Sequence, residues 1–524
     1  MNEPITDLLH ETEELPQHEA DSITITPDRV LNELLKNISL IDFLLLAYPE
    51  SKEIITEIEV LKPLVIKPDG SINQDNKEDL KEFEKLQKRL QSFKISRNHF
   101  LIITVEQLLK IAKAKQWGLC KRNGFIYVYN GNFWNEINKE QFQHFLGKAA
   151  LKMGVEKFKA KIHSFKDELF KQFMCEAYLP TPPENPDQVL INLVNGTFEI
   201  DTNGQRLRSC NQEDFITHQL PFKYDPDAKA PLFHKYLDEV LPEKDKQKVL
   251  AEYAGYIFTR PKVLKLEKML ILYGNGANGK SVFFEIINAL LGRSNISNYS
   301  LQSLTDDKGY HRAKIANKLV NYASEINGKL EVDTFKQIAS GEPIEARLPY
   351  GEPFIIEDYA KLIFNCNDLP RDVEHTNAFF RRFLIIHFNV TIPEHKQDKG
   401  ISKKIIDNEL SGVFNWILEG LNRLLKQKNF TKCAAIENAR SDYERQSDSV
   451  KQYIDEYNYI PSPTNTIKIS EIYQRYRNYC AEDGLRPVSK SNFMKRLNHH
   501  GIFTKRMSLG NVAMANQENQ GNEF

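Results

Sequence analysis

Eight consecutive residues near the middle of the chain, Gly274-Asn275-Gly276-Ala277-Asn278-Gly279-Lys280-Ser281, carry the spacing GxxxxGK[ST]. Those residue types at that spacing suit phosphate chemistry. Glycines let the backbone curl so that successive N–H groups face an anion, the lysine adds a full charge, and the serine hydroxyl can ligate Mg²⁺. Three further positions could complete hydrolysis of a bound nucleotide. Glu325 follows Ser324 after an apolar run, where a carboxylate can orient or deprotonate an attacking water. Asn367 stands in Asn365-Cys366-Asn367-Asp368-Leu369-Pro370, where a neutral amide can hold the water or the γ-phosphate without competing for the metal. Arg381 and Arg382 are adjacent, and one of two guanidinium groups so placed could reach the γ-phosphate held by a neighbouring subunit. The cofactors of such chemistry are ATP and Mg²⁺.

These side chains can cooperate only if strands deliver them to common edges. Residues 269–273 (MLILY) form an apolar run directly before the glycine-rich stretch, the pattern of a strand buried on both faces of a parallel sheet. Residues 282–291 then predict a helix stopped by Gly292. Further apolar runs at 319–323, 362–364 and 383–388 adjoin the other candidates. From 231 to about 425 such runs alternate with helical segments, which predicts an α/β fold built on a parallel sheet.

The chain has 524 residues, enough for several domains. Residues 1–30 hold eight acidic side chains against one arginine and predict a solvated tail. Residues 31–100 predict a helical region, in which Leu80, Phe83, Leu86, Leu90 and Phe93 line one helix face. Residues 101–230 predict an α/β N-terminal domain. There, 124–137 alternate around Asn130-Gly131, and 191–207 repeat the pattern with Asn195-Gly196 and Asn203-Gly204. Residues 222–231, with two prolines, read as an exposed connection at a boundary. The parallel-sheet domain is expected over 231–430, a linker helix and small terminal unit over 431–515, and a tail over 516–524.

Seventy Lys and Arg balance 71 Asp and Glu, which excludes a uniformly basic coat protein but leaves room for a local basic patch. Six cysteines without a CxxC pair argue against a disulfide framework or zinc ribbon. No apolar run approaches the roughly 18 residues of a membrane span, and the first residues lack a basic leader. A soluble, reducing setting is expected.

The glycine-rich loop, the Ser324-Glu325 strand end, the Asn367-Asp368-Leu369-Pro370 tip and Arg381-Arg382-Phe383 together resemble the ATPase core of superfamily 3 helicases. The branch they most resemble is that of phage/plasmid and poxvirus primase–helicases. Residues 124–134, 194–200 (VNGTFEI) and 253–257 (YAGYI) are similar to that branch's helicase-associated domain, so the resemblance runs from near 101 to 512. It implies an AAA+-like α/β ATPase with a helical and mixed N-terminal region, assembled as a homo-hexamer with ATP at subunit interfaces. Lys280 and Ser281 match the loop pair, Glu325 the acidic strand end, Asn367 the polar sensor, and Arg381 or Arg382 the trans-acting finger. Many phosphate-loop ATPases have Asp-Glu where this chain has Ser324-Glu325; the metal then rests on Ser281, the nucleotide and water, and Glu325 is a base or a metal-side ligand. The implied activity is ATP-dependent DNA unwinding during replication of a phage, plasmid or other mobile element, in a bacterial host cytoplasm, with a separate primase or polymerase as a further partner. Three alternatives stay open: an ATP-switched initiator without processive unwinding, a bifunctional primase–helicase, and a small-molecule P-loop kinase, which would lack the arginine pair and the basic C-terminal unit.

Two segments are candidates for touching single-stranded, forked or origin DNA. Residues 344–356 alternate around Tyr350-Gly351, and the resembled helicases carry a channel hairpin there. Arg347 and Tyr350 pair a cation with an aromatic, with Lys336 and Lys361 as weaker candidates. Residues 465–506 hold nine Lys and Arg against three Asp and Glu, in a helix, helix, strand, turn, strand order that predicts a winged helix. Lys490, Lys495, Arg496, Lys505 and Arg506 fall on its expected recognition helix and wing.

Overall fold

The structure, a computed structural model, describes residues 27–517 apart from 74–75, 117, 123, 178–187, 202–203, 325, 327–330, 350, 370–375, 486 and 509. Most of the expected acidic tail, 1–26, lies outside the described residues, as do 518–524. Positions 27–30 are not tail: they open the helix Pro27–Lys36, which buries Val30, Leu31 and Leu34.

The first part of the chain is a helical layer on a three-stranded antiparallel sheet of β1 (Leu119–Arg122), β2 (Phe125–Tyr129) and β3 (Trp134–Ile137). The β2–β3 turn closes because the Asn130 side-chain oxygen accepts from the backbone N–H of Asn132 and Phe133, at 3.0 and 2.9 Å. One core runs from Val30 to Ala177. The expected division at 100/101 is therefore corrected. It falls inside the helix Arg97–Ala114, whose Val105, Leu108 and Ala112 join that core.

β4 (Val189–Leu193), β5 (Gly196–Asp201) and β6 (Gly204–Arg208) form a second antiparallel sheet. Its Ile191, Leu193 and Phe198 belong to the same core as Phe233, Leu270 and Ile417. Residues 222–231 are consequently a strap rather than the expected boundary. The rings of Phe222 and Tyr224 pack on Phe414 of the long helix Ile401–Gln427, and Asn415 donates to the carbonyls of Asp225 and Ala228, both at 3.0 Å.

The parallel sheet comprises β7 (Met269–Tyr273), β8 (Ile296–Ser297), β9 (Val320–Ala323), β12 (Lys361–Cys366) and β13 (Phe383–His387), in the order β13-β7-β12-β9-β8. Between β9 and β12 the chain forms the antiparallel hairpin β10 (Ile344–Arg347) and β11 (Pro353–Ile356). Register aligns the strand ends: Tyr273 pairs with Cys366 and with His387, and Ala323 with Phe364. Everything that follows β7, β9 and β12 therefore emerges at one edge. Everything that precedes β12 and β13 enters at the other.

The helix Lys244–Tyr256 and the long helix lie against each other so closely that a Cβ at Gly420 would come within 2.4 Å of the Ala251 carbonyl carbon. Only glycine permits that approach. At their junction the fully buried carboxylate of Glu252 accepts from Arg423 at 2.6 Å and from the Thr431 backbone N–H at 2.8 Å. Those bonds offset a desolvation cost of several kcal/mol.

The helix Ala434–Gln446 is not the expected linker. Its Tyr443 packs edge-on against Phe380 and Phe383, at 5.5 and 5.7 Å between ring centres, and joins the core on that face of the sheet. Beyond it, β14 (Tyr459–Pro461) pairs with β18 (Ala515–Gln517), so 516–517 are strand, not tail. β15 (Ile467–Lys468), β16 (Thr504–Met507) and β17 (Gly510–Ala513) form a three-stranded sheet with β17 central. The helices Ile469–Glu482 and Lys490–His499 complete this unit around Tyr453, Tyr476, Phe493 and Ile502, with Ser489 capping the second. Among the described residues, no helix is long and apolar enough to cross a membrane.

Candidate functional site

Residues 274–279 join β7 directly to the helix Lys280–Leu291. Gly279 adopts φ +87°, and a Cβ there would lie 2.6 Å from Val240. A side chain is excluded by conformation and by space alike. Asn278 ties the loop to the end of β13, donating to the Phe388 carbonyl at 3.0 Å. Tyr236 holds it from below, its hydroxyl donating to the Gly279 carbonyl at 2.8 Å. The helix that carries Tyr236, Pro231–Val240, is itself fixed at its N-terminus by Glu409 of the long helix. Both carboxylate oxygens of Glu409 accept there, from Leu232 N–H at 3.0 Å and Phe233 N–H at 2.9 Å.

Lys280 is 7% exposed. Its ammonium donates to the loop's own oxygens: the Gly274 carbonyl, the Asn275 carbonyl at 3.1 Å and the Asn278 side chain at 3.1 Å. Burial lowers its pKa from the ordinary lysine value. Ser281, in the first turn of the helix, is exposed. Together these groups border a cavity of about 500 Å³, which the loop, Glu285, Ser324, Asn365 and Asn367 line.

Asn367 lies just past β12 and is exposed; Gly274 N–H donates to the neighbouring Cys366 carbonyl at 3.2 Å, which seats the tip against the loop. Burial pushes the Cys366 thiol up to about 12, against the opposing pull of Lys280. Ser324 reaches the cavity; Glu325 lies outside the described residues. Sequence reasoning missed Tyr236, Glu285 and the 392–402 segment, whose Lys396, Asp398 and Lys399 close the far wall. No motif marked them: Tyr236 and the 392–402 segment reach the loop from elements distant in sequence, and Glu285, on the helix Lys280–Leu291, lies beyond the loop's own spacing. Asn365, near the end of β12, also lines the cavity, its side chain accepting from the Tyr322 hydroxyl at 3.1 Å.

The arginine pair enters β13 at the opposite edge, a five-residue strand away, about 16 Å at ~3.3 Å per residue. The two side chains part company. Arg381 is 46% exposed and ion-pairs with Glu267. Arg382 is buried, donating to Ser340 Oγ from Nε at 3.2 Å and Nη2 at 2.8 Å, and to the Ala378 carbonyl. Those bonds make Arg382 an internal fastener and correct its candidacy as a finger.

Of the expected DNA contacts, Arg347 is exposed on the hairpin and donates to the Gly351 carbonyl at 2.8 Å; Tyr350 lies outside the described residues. Lys336 pairs with Asp333 at 3.5 Å. Lys361 is corrected: it starts β12, is half-buried, its ammonium lies 4.3 Å from the Tyr256 ring centre, and it lines a cavity away from the hairpin. Lys490, Lys495, Lys505 and Arg506 are exposed. Arg496 is also corrected, because it bonds to the buried Asp448 at 3.1 Å, beside the His500 ring at 2.7 Å. Asp448 in turn caps the helix Ser449–Glu456.

Comparison with known proteins returns partial matches. Residues 106–242 match the family described as "D5 N terminal like", and residues 272–382 match "Family of unknown function (DUF5906)". The second interval encloses the loop, the β12 tip and the arginine pair. The chain is 22% identical over 357 residues to "Putative helicase L207/L206" of Acanthamoeba polyphaga mimivirus, covering 60% of this chain and 36% of that protein. It is 23% identical over 357 residues to "Putative helicase 121R" of Invertebrate iridescent virus 3, covering 58% and 37%. The chain thus spans little more than a third of the length of these relatives. A solved structure described as the A form apo structure of the NrS-1 C terminal region superposes with a TM-score of 0.42 at 12% identity, over 78% of this chain and 98% of that one. The relatives are named as helicases, and none of these names specifies a superfamily.

Proposed function

We propose that this chain is an ATP-dependent DNA helicase of superfamily 3 type, working as a hexameric ring on single-stranded DNA in the replication of a phage, plasmid or other mobile element. One observation carries the reading. The loop and the β12 tip share one edge of the sheet, while the exposed Arg381 stands at the other edge, too far to serve its own loop. A ring resolves that separation by setting one subunit's arginine against the next subunit's loop.

The residues present fit the cofactor. Loop N–H groups and Lys280 would hold the phosphates, Ser281 would ligate the metal, and Asn367 or Asn365 would position water. ATP with Mg²⁺ supplies the phosphoanhydride bond and part of the charge that offsets its breaking. The chain's own part is orientation and electrostatics: Tyr236 and Asn278 keep the loop curled, and Lys280 stays desolvated until an anion competes for it. Glu325, after β9, would act on the water. The β10–β11 hairpin and the exposed C-terminal cations Lys490, Lys495, Lys505 and Arg506 would contact DNA.

The test is ATP turnover with and without single-stranded DNA, read beside particle mass. The reading expects stimulation by DNA and a six-chain mass. It expects Lys280→Ala to drop turnover below a tenth with the fold intact. Turnover indifferent to DNA in both respects would reject the motor. Unwinding of forked duplexes separates a helicase from an initiator, and primer synthesis would identify a bifunctional enzyme.

A further inference from the structure

A second cavity, of about 190 Å³, lies at the edge of the parallel sheet opposite the loop, where β9 and β12 begin. Its walls come from 213–218, 257–263 and 317–319. At ~30 Å³ per water, it has room for about six waters, or for one tetrahedral oxyanion with part of its hydration.

The chemistry of the walls is one-sided. Arg122, Arg260, Lys262, Lys318 and Lys361 line it against Glu213, Asp214 and Asp358. Two of the acids are already engaged: Asp214 takes a two-pronged grip from Arg208 at 2.9 Å, and Asp358 pairs with Arg122 at 3.9 Å. The Arg122 guanidinium also lies over the Phe215 ring, 4.7 Å from its centre. Lys318 is committed to the Ser294 carbonyl at 2.6 Å.

Two polar groups are left without a hydrogen-bond partner among the described residues. Lys361 has the Tyr256 ring beneath it and only the field of Asp358 opposing its charge. His218 Nε2 is buried and makes no hydrogen bond. A desolvated ammonium and an orphaned ring nitrogen each cost folding free energy, typically ~1–3 kcal/mol for an unmet polar group. A cavity that keeps both, beside a guanidinium, offers a small anion what it needs: charge and donors.

We propose that this cavity is a binding site for a small phosphate dianion, inorganic or carried as a monoester, held by Lys361, His218 and Arg122. The state of the groups supports this. Burial lowers Lys361 to about 8, which an anion at its side would reverse. Burial and then the Arg260 charge lower His218 to about 3, so its imidazole is neutral and can present an N–H to an oxyanion. The site is separate from the loop cavity and does not rest on the nucleotide reading.

The test uses the full chain carrying Lys280→Ala, which removes the loop's lysine from competition. Calorimetric titrations with inorganic phosphate and with adenosine 5′-monophosphate distinguish the free ion from a monoester. The expected result is saturable one-to-one binding of at least one of them. Lys361→Met in that background should weaken it at least about tenfold, the scale of one charge-assisted hydrogen bond, while Lys361→Arg retains it. Lys361→Met keeps the stem and removes a buried charge, so thermal melting should show it folded. Should it not fold, Arg122→Gln carries the same comparison. Absence of binding by either compound at millimolar concentration, or equal binding with and without the cationic side chain, overturns the proposal.

Discussion

The sheet edge and the C-terminal unit use the same basic residue types in opposite ways. Lys280 is buried, bonded to three loop oxygens and placed by elements from all over the domain. Lys490, Lys495, Lys505 and Arg506 stand in solvent on one small helix and hairpin. A desolvated, oriented charge acts on one atom, and its loss is felt as chemistry. Exposed charges act as a field, so each loss is modest and salt-dependent. The adjacent pairs Lys495–Arg496 and Arg381–Arg382 repeat the lesson at one-residue spacing, since in each one member faces out and the other is spent on the fold.

The largest effect should come where that contrast is sharpest. Arg381→Ala in an assembled ring is expected to lower ATP turnover roughly 10³-fold with an unchanged melting temperature. Mixing it with Lys280→Ala should restore some turnover, because an intact loop can then meet an intact arginine. Arg382→Ala should do the reverse, costing about 2–3 kcal/mol of stability in chemical denaturation by leaving the buried Ser340 hydroxyl unmet. Equal behaviour of the two variants would erase the distinction.

Next in size, Glu325→Gln should preserve nucleotide binding and slow hydrolysis by about 10²-fold. Loss of binding instead would assign that carboxylate to the metal or the fold. On the C-terminal unit, Lys495→Ala and Lys505→Ala should each weaken DNA binding without regard to sequence, and lower the slope of log affinity against log salt by about 1. Arg496→Ala should leave the slope alone and lower the unit's melting temperature, because it strips Asp448 of a partner.

The smallest effect is a pH dependence. Burial lowers Lys268 and Lys361 to about 8 from 10.5. Between those values the unfolded chain binds more protons than the folded one, so stability should rise as pH increases from about 8 toward 10.5. A flat denaturation midpoint across that window would mean that neither amine is desolvated in solution.

Legibility in the sequence followed the range of the interaction. Asn130-Gly131, the MLILY strand and the glycine-rich run are local signals, and the hairpin and strand–loop–helix stand where those signals lie. The boundaries at 100/101 and 230 were illegible because packing decided them. Val105 and Phe414 join segments far apart in sequence, and an X-Pro stretch looks like a linker until Asn415 is seen to bind its carbonyls. The same held for single side chains. Lys361 and Arg496 read as DNA-facing cations and Arg382 as one of two finger candidates, since nothing nearby announces Tyr256, Asp448 or Ser340 as their neighbours.

Tyr443 has a practical consequence for dividing the molecule. A fragment stopped at 430, where the sequence suggested a border, would strip the ring that covers Phe380 and Phe383 and leave an apolar face bare beside Arg381. Ser447 still belongs to that helix, its hydroxyl donating to the Tyr443 carbonyl at 2.8 Å, whereas Asp448 belongs to Arg496 and His500. The seam for a truncation, a protease site or a fused tag therefore runs between those two neighbours, crossed by the Asp448 N–H donation to the Arg445 carbonyl at 3.3 Å and by the Gln452 side chain on the Gln446 carbonyl.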